Sequence, residues 1–198
     1  CGTSSDTIDV YAASSLTELF RELGDAYAAE HDGVSMRFNF AGSSVLATQI
    51  RQGAPADIYA SANPAIVAAL DEESLVETSQ PIASTRMVVV ARADDTRVDS
   101  LASLANRDVI LVLASEGVPA GDYSRGVLRN ASTSGSLGAD FEERVLANVR
   151  SFEPNVRAAL LKVELGEADA AIVYETDLRL HPETLRAIAI PDEYNVQA

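Results

Sequence analysis

The chain is poor in the residues from which most redox, metal and nucleophilic sites are built. Cys1 is its only cysteine, so no internal disulfide can form and no Cys/His cluster offers metal-ligand spacing. Histidine occurs twice, at His31 beside the Asp32-Gly33 turn and at His181 beside Pro182, and both positions read as exposed loops. A serine nucleophile needs a base, and neither histidine is placed to be one. There is no Gly-x-Ser-x-Gly elbow either. A serine-dependent hydrolase is therefore a remote alternative, and no catalytic residue is assigned. Basic residues number 15 against 30 acidic ones, and Lys162 is the only lysine. The net charge of −15 argues against nucleic acid, whose phosphates need Lys and Arg to displace their counterions. Although 47% of the residues are hydrophobic, no run approaches the roughly 20 apolar residues of a membrane-spanning helix.

What is present alternates between strand and helix. Ile8, Val10 and Ala12 alternate as in a strand, and Ser15 with Glu18 three residues later reads as a capping box opening a helix. Leu16, Phe20, Leu23 and Tyr27 follow as a buried stripe at helical spacing, ended by Asp32-Gly33. Val34, Met36, Phe38 and Phe40 alternate with polar residues, as a half-buried strand requires. Ala41-Gly42-Ser43-Ser44 turns into a second helix, stopped at Gly53. A strand near Ile58 and a helix from Pro64 follow. Met87–Ala91 and Val109–Leu113 are continuous apolar runs, as in strands covered on both faces. Helices are expected over 120–129, 140–148 and 154–165, strands over 170–173 and 186–190, and a surface loop over 130–138. Strands separated by helices predict an α/β fold with mostly parallel sheets, whose ligands sit beyond the carboxyl ends of the strands.

Four turns share one pattern, in which a strand ends, small or hydroxylated residues follow, and a helix begins. They are Ala12-Ala13-Ser14-Ser15, Ala41-Gly42-Ser43-Ser44, Val118-Pro119-Ala120-Gly121 and Pro154-Asn155-Val156. The first amides of a helix lack intrahelical acceptors and carry the positive end of its dipole. Pro119 and Pro154 suit a first helical position, where a missing N–H is harmless. Each turn alone is explained by ordinary helix capping, and together they form a set of donors suited to an anion.

In order and spacing, Tyr11-Ala-Ala-Ser-Ser-Leu16, Phe40-Ala-Gly-Ser-Ser-Val-Leu46, Gly53-Ala-Pro-Ala-Asp-Ile-Tyr-Ala-Ser-Ala62, Val118-Pro-Ala-Gly-Asp-Tyr123 and Ile172-Val-Tyr174 resemble the periplasmic molybdate-binding proteins of ABC-type uptake systems. The resemblance implies a two-lobed type II periplasmic-binding fold that closes around one molybdate or tungstate ion and delivers it to a membrane permease. Binding of another oxyanion such as sulfate is the near alternative. By matching motif positions it implies a ligand shell of Ser15 and Ser43 from lobe one and Ala120, Val156 and Tyr174 from lobe two. It implies no cofactor, and no metal apart from the molybdenum of the oxyanion. Asp122 departs from a carboxylate-free shell, and its side chain is expected to face solvent.

Lobe one is expected over residues 6–84 and 190–198, and lobe two over 85–189. The family continues through a return segment and a C-terminal helix, so lobe one is expected to be incomplete at Ala198. The opening Cys1-Gly2-Thr3-Ser4-Ser5 resembles a processed bacterial lipoprotein, with a lipid anchor at Cys1 and a tether over 1–5. The expected location is extracytoplasmic, either periplasmic or cell-surface, and the expected state is monomeric.

Overall fold

The computed structural model describes residues 6–180 and 183–198, with Leu180 described by its backbone only. The Cys1 anchor, the tether over 1–5 and His181 lie outside the described residues. The chain divides into two compact units, one up to Pro81 and one from Ile82.

The first unit is built on three parallel strands, β1 (Asp6–Ala13), β2 (Val34–Ala41) and β3 (Ile58–Ala60), in the order β2-β1-β3. Its helices are α1 (Thr17–Glu30), α2 (Ser43–Arg51) and α3 (Pro64–Glu72). The core gathers Val10, Ala12 and Ala60, with Ile8, Leu16, Phe20, Met36, Phe38 and Phe40 packed on it. The alternation along β2 survives in burial, Ser35 and Arg37 being exposed where Met36 and Phe38 are half-buried. Helix α1 departs from its predicted stripe. Leu16 and Phe20 are half-buried, whereas Leu23 is 51% and Tyr27 40% exposed. The line that meets the sheet is Leu16, Phe20 and Gly24, at steps of four residues. Gly24 is needed there, because a Cβ would lie 2.6 Å from Cζ of Phe38. Tyr27 stacks instead on His31, with ring centroids 3.9 Å apart. The helix also starts later than predicted. Ser14–Leu16 form a 3-10 turn, α1 begins at Thr17, and its N-cap, Leu16, supplies no side-chain cap.

The second unit carries β4 (Met87–Arg92), β5 (Leu111–Ala114), β6 (Val149–Glu153), β7 (Ala170–Tyr174) and β8 (Leu185–Ala189) in one sheet, ordered β6-β5-β7-β4-β8. Strand β5 runs parallel to β6 and β7, and β4 is antiparallel to β7 and β8. Helices α4 (Pro119–Thr133), α5 (Phe141–Ala147) and α6 (Val156–Glu164) complete it. Met87–Ala91 is buried throughout, as its apolar run predicts, although both of its neighbours are antiparallel. The core includes Met87, Val89, Leu111, Leu113, Leu128, Phe141, Leu160 and Ile172, each under 2% exposed. Burying each such side chain contributes about 1.5–3 kcal/mol.

Three further expectations change. Helix α4 runs on to Thr133, through the start of the expected 130–138 loop. The hydroxyls there bond back to the helix, Thr133 Oγ1 to the Arg129 carbonyl at 2.8 Å and Ser134 Oγ to that of Ala131 at 2.9 Å. Pro154 is not the first residue of α6; that is Val156, capped by Asn155. Residues 190–198, assigned from sequence to lobe one, belong to the second unit. Asn195 Oδ1 accepts from the Met87 amide and Asn195 Nδ2 donates to its carbonyl. Asn130 Nδ2 donates to the Tyr194 carbonyl, and Thr85 and Ala198 exchange two backbone bonds.

Candidate oxyanion site

In the first unit the register pairs Ala13 of β1 with Ala41 of β2, so the turns that follow leave the sheet side by side. Ser15 lies in the 3-10 turn after β1 and is half-buried. Ser43 is the first residue of α2 and is 1% exposed. Gly42 is extended at the N-cap, and its carbonyl receives the amides of Val45 and Leu46 at 3.0 and 3.1 Å. The Ser43 amide precedes these and has no carbonyl within the helix to reach.

The third strand fixes how Ser43 is used. The Ala62 amide, just past β3, donates to Ser43 Oγ at 3.1 Å, and the Tyr59 hydroxyl donates to the Ser43 carbonyl at 2.8 Å. With one lone pair of Oγ occupied by an N–H, the Ser43 hydroxyl hydrogen is directed elsewhere, which makes the group a donor to whatever it faces. Burial pushes the Tyr59 phenol above its ordinary pKa, so the clamp stays protonated.

In the second unit three adjacent parallel strands end together. Ala114 of β5 pairs with Glu153 of β6, and Val112 of β5 pairs with Ala171 of β7, two and three residues before their respective strands end. Helix α4 starts beyond β5 with Pro119 at its first position and Ala120, 2% exposed, at its second. The first amide to return to the turn is that of Asp122, bonded to the Val118 carbonyl at 2.9 Å. The Ala120 and Gly121 amides therefore precede the helical ladder. Gly121 lets this helix start sit against the strand end, since a Cβ would lie 2.1 Å from the Ser115 carbonyl oxygen. Asp122 is exposed, and its carboxylate accepts from the Gly117 amide at 2.8 Å, so it turns back over its own loop.

Helix α6 starts beyond β6. The Asn155 side chain caps it by accepting from the Ala158 amide at 3.0 Å, and Val156, 3% exposed, is its first residue. Tyr174 ends β7 and is 3% exposed, and its hydroxyl is buried with no hydrogen-bond partner among the described residues. Burial, with smaller contributions from Tyr123 and Asp177, pushes this phenol far above its ordinary pKa. It is thus a neutral donor with no acceptor among the described residues. The Tyr123 ring meets it edge-on, with centroids 6.3 Å apart.

The sequence picked out the turns but not what holds them. Tyr59 and Ala62 stand within the Gly53–Ala62 motif, yet only the fold brings them to Ser43. The Tyr123 contact and the pairing of Arg157 with Asp177, at 3.3 Å, have no signal in periodicity. His31 is exposed at the end of α1, its Nδ1 2.9 Å from the Tyr27 carbonyl oxygen. Among the described residues, no three His, Cys, Asp or Glu side chains gather where they would hold a metal cation.

Two α/β units, each presenting helix N-termini beyond the ends of parallel strands, have the fold of the type II periplasmic binding proteins. Residues 8–198 match the bacterial extracellular solute-binding protein family, and the chain belongs to it. Molybdate-binding protein ModA of Mycobacterium tuberculosis is 31% identical over 192 residues, which are 96% of this chain and 69% of that protein. The Escherichia coli protein of the same name is 36% identical over 180 residues, 86% of this chain and 66% of its own length. The sulfate-binding protein SubI of Mycobacterium tuberculosis superposes with a TM-score of 0.82 at 16% identity, over 94% of this chain and 71% of that one, and shares the fold.

Proposed function

We propose that this chain is an extracytoplasmic receptor that captures molybdate, or the similarly sized and charged tungstate, and delivers it to an ABC permease. The observation that carries the reading is the Tyr174 hydroxyl at the end of β7, buried with no hydrogen-bond partner among the described residues. Strand β7 lies beside β5, which leads into α4, and β6, which leads into α6, lies on the far side of β5. A buried donor without an acceptor costs about 1–3 kcal/mol, and an oxyanion oxygen removes that cost. The ligand shell is Ser15 and Ser43 by hydroxyl and amide, Ala120 and Val156 by amide, and Tyr174 by phenol. The ModA relatives support molybdate as the anion.

The chemistry of the shell fits a fully deprotonated dianion. Its groups donate, and backbone amides cannot take up a proton from a protonated ligand. Hydrogen phosphate would bury an O–H with no good acceptor, an error of about 1–3 kcal/mol. Sulfate passes this test and is rejected by size, because its shorter bonds stretch hydrogen bonds past useful length. Several charge-assisted bonds of about 1.5–3 kcal/mol each support nanomolar binding, near −12 kcal/mol. The ion is bound and released unchanged, and the receptor works as a monomer without catalysis. It is held at the membrane through a lipidated Cys1; no described helix is long and apolar enough to cross a membrane.

A thermal-shift series on anion-free protein with molybdate, tungstate, sulfate and phosphate tests the reading. At about 100 times Kd a ligand adds about 2.7 kcal/mol, a rise of several degrees in Tm. A rise with molybdate and tungstate alone is expected. A rise with sulfate alone moves the chain to sulfate uptake, and no rise with any of the four overturns the assignment.

A further inference from the structure

The carboxylate of Asp177 is 0% exposed, inside a protein proposed to bind a dianion. Its Oδ2 accepts from the Tyr174 amide at 3.2 Å, and its Oδ1 lies 3.3 Å from Nε of Arg157. Arg157 directly follows Val156 at the start of α6. The pair therefore joins the backbone of one proposed donor, Tyr174, to the helix start that supplies another. Capping the turn over 175–180 does not explain the charge, because a neutral Asn would accept the Tyr174 amide equally well. A fully buried carboxylate carries a desolvation penalty of several kcal/mol and needs a counter-charge. Left uncompensated beside a bound dianion, it would also repel the ligand.

We propose that Arg157 and Asp177 are positioning residues for the oxyanion: Asp177 fixes Tyr174 relative to the start of α6, and Arg157 cancels its charge toward the ligand. The inference rests on the molybdate reading, and its test separates the two. Sodium molybdate is titrated calorimetrically at 25 °C into the wild-type chain, R157K, R157M and the double variant R157M/D177N. The melting temperature of each anion-free protein is recorded alongside.

R157M removes the Arg157 counter-charge from beside Asp177 and is expected to weaken binding about tenfold or more. R157K keeps a cation and should stay within about threefold of wild type. The double variant removes both charges and is expected to regain most of the loss, which no purely destabilising change would do. If R157M lowers the melting temperature while its Kd stays within about threefold of wild type, the pair is structural only and the proposal falls. A double variant that binds no better than R157M also overturns it. Should R157M not fold, R157K against D177N decides. D177N removes the carboxylate charge from beside Arg157 and with it the ligand repulsion, so it should bind at least as tightly as R157K, and weaker binding refutes the electrostatic role. A wild-type chain that does not bind molybdate overturns the receptor assignment and this inference with it.

Discussion

Replacing Tyr174 by Phe should move stability and affinity in opposite directions. In the anion-free protein the Tyr174 hydroxyl is buried with no partner among the described residues, and the ring stays packed against Tyr123 whether or not the oxygen is there. Removing an unsatisfied buried polar group relieves about 1–3 kcal/mol, so Tyr174→Phe should stabilise the empty protein by roughly 1 kcal/mol. For a chain of this size that is about 2–4 °C in Tm. The same oxygen is the proposed donor to the anion, and a hydrogen bond to a charged group contributes about 1.5–3 kcal/mol. Its loss should weaken molybdate binding by roughly one to two orders of magnitude, since 1.4 kcal/mol is tenfold. Urea unfolding of the anion-free variant gives the first quantity and titration calorimetry the second. A variant less stable when empty would mean that the hydroxyl already has a partner. Unchanged affinity would remove Tyr174 from the shell. Either result refutes the reasoning.

Ser43→Ala deletes the outward donor and also strands the Ala62 amide. It should weaken binding about tenfold or more and destabilise the empty protein by about 1–3 kcal/mol, checked by calorimetry and urea unfolding. Gly121→Ala drives a methyl onto the Ser115 carbonyl. It should push the α4 start off the strand end, with a destabilisation of about 1–3 kcal/mol and a loss of affinity larger than any stability change explains. Asp95 is held below the usual carboxylate range mainly by its bond to Arg97, against a smaller opposing effect of burial. A depressed folded pKa means the stabilisation is complete above the unfolded value, near 3.9, and is lost as pH falls through the folded value. Thermal melts from pH 7 to 3 should therefore show Asp95→Asn less stable near neutrality and converging on wild type only below about pH 4.

The fold was legible where one physical signal dominates. Met87–Ala91 and the strand from Ala170 are apolar because both faces are covered, and no turn residue interrupts them. Strand β6 was missed for the converse reason. It lies at the sheet edge and exposes Phe152, which Arg125 covers at 5.3 Å, so its apolar residues do not mark the buried face. The α1 stripe misled because a glycine, which no hydrophobicity pattern counts, makes the closest approach to β2. The site divides in the same way. Helix starts are local, so the turns that hold Ser43, Ala120 and Val156 were visible in the sequence, whereas their place in a ligand shell is what the family resemblance implies. The clamp on Ser43 reaches from residues 16 and 19 positions away, and the Asp177 bond to Tyr174 gains its meaning only from Arg157, twenty residues earlier.

These two scales of contact also explain how so acidic a chain can serve a dianion. Exposed carboxylates farther than about 8–10 Å are largely screened at physiological salt, so the net charge of −15 acts weakly on a buried ligand. What acts strongly is the sign of the nearest groups, and there the chain is consistent. Asp122 folds back onto the Gly117 amide, and Glu153 at the end of β6 is tied to Lys162 at 2.8 Å and Ser151 at 2.7 Å. Asp177 faces Arg157. Asp122, Glu153 and Asp177 thus each have a named partner, and the groups of the proposed ligand shell are neutral. Neutral donors attract a dianion through fixed dipoles without needing a counter-ion of their own. A cationic pocket would hold protonated and deprotonated oxyanions alike. A pocket of amides and hydroxyls ranks them by how many oxygens can accept, and that ranking, more than total charge, is what a molybdate receptor requires.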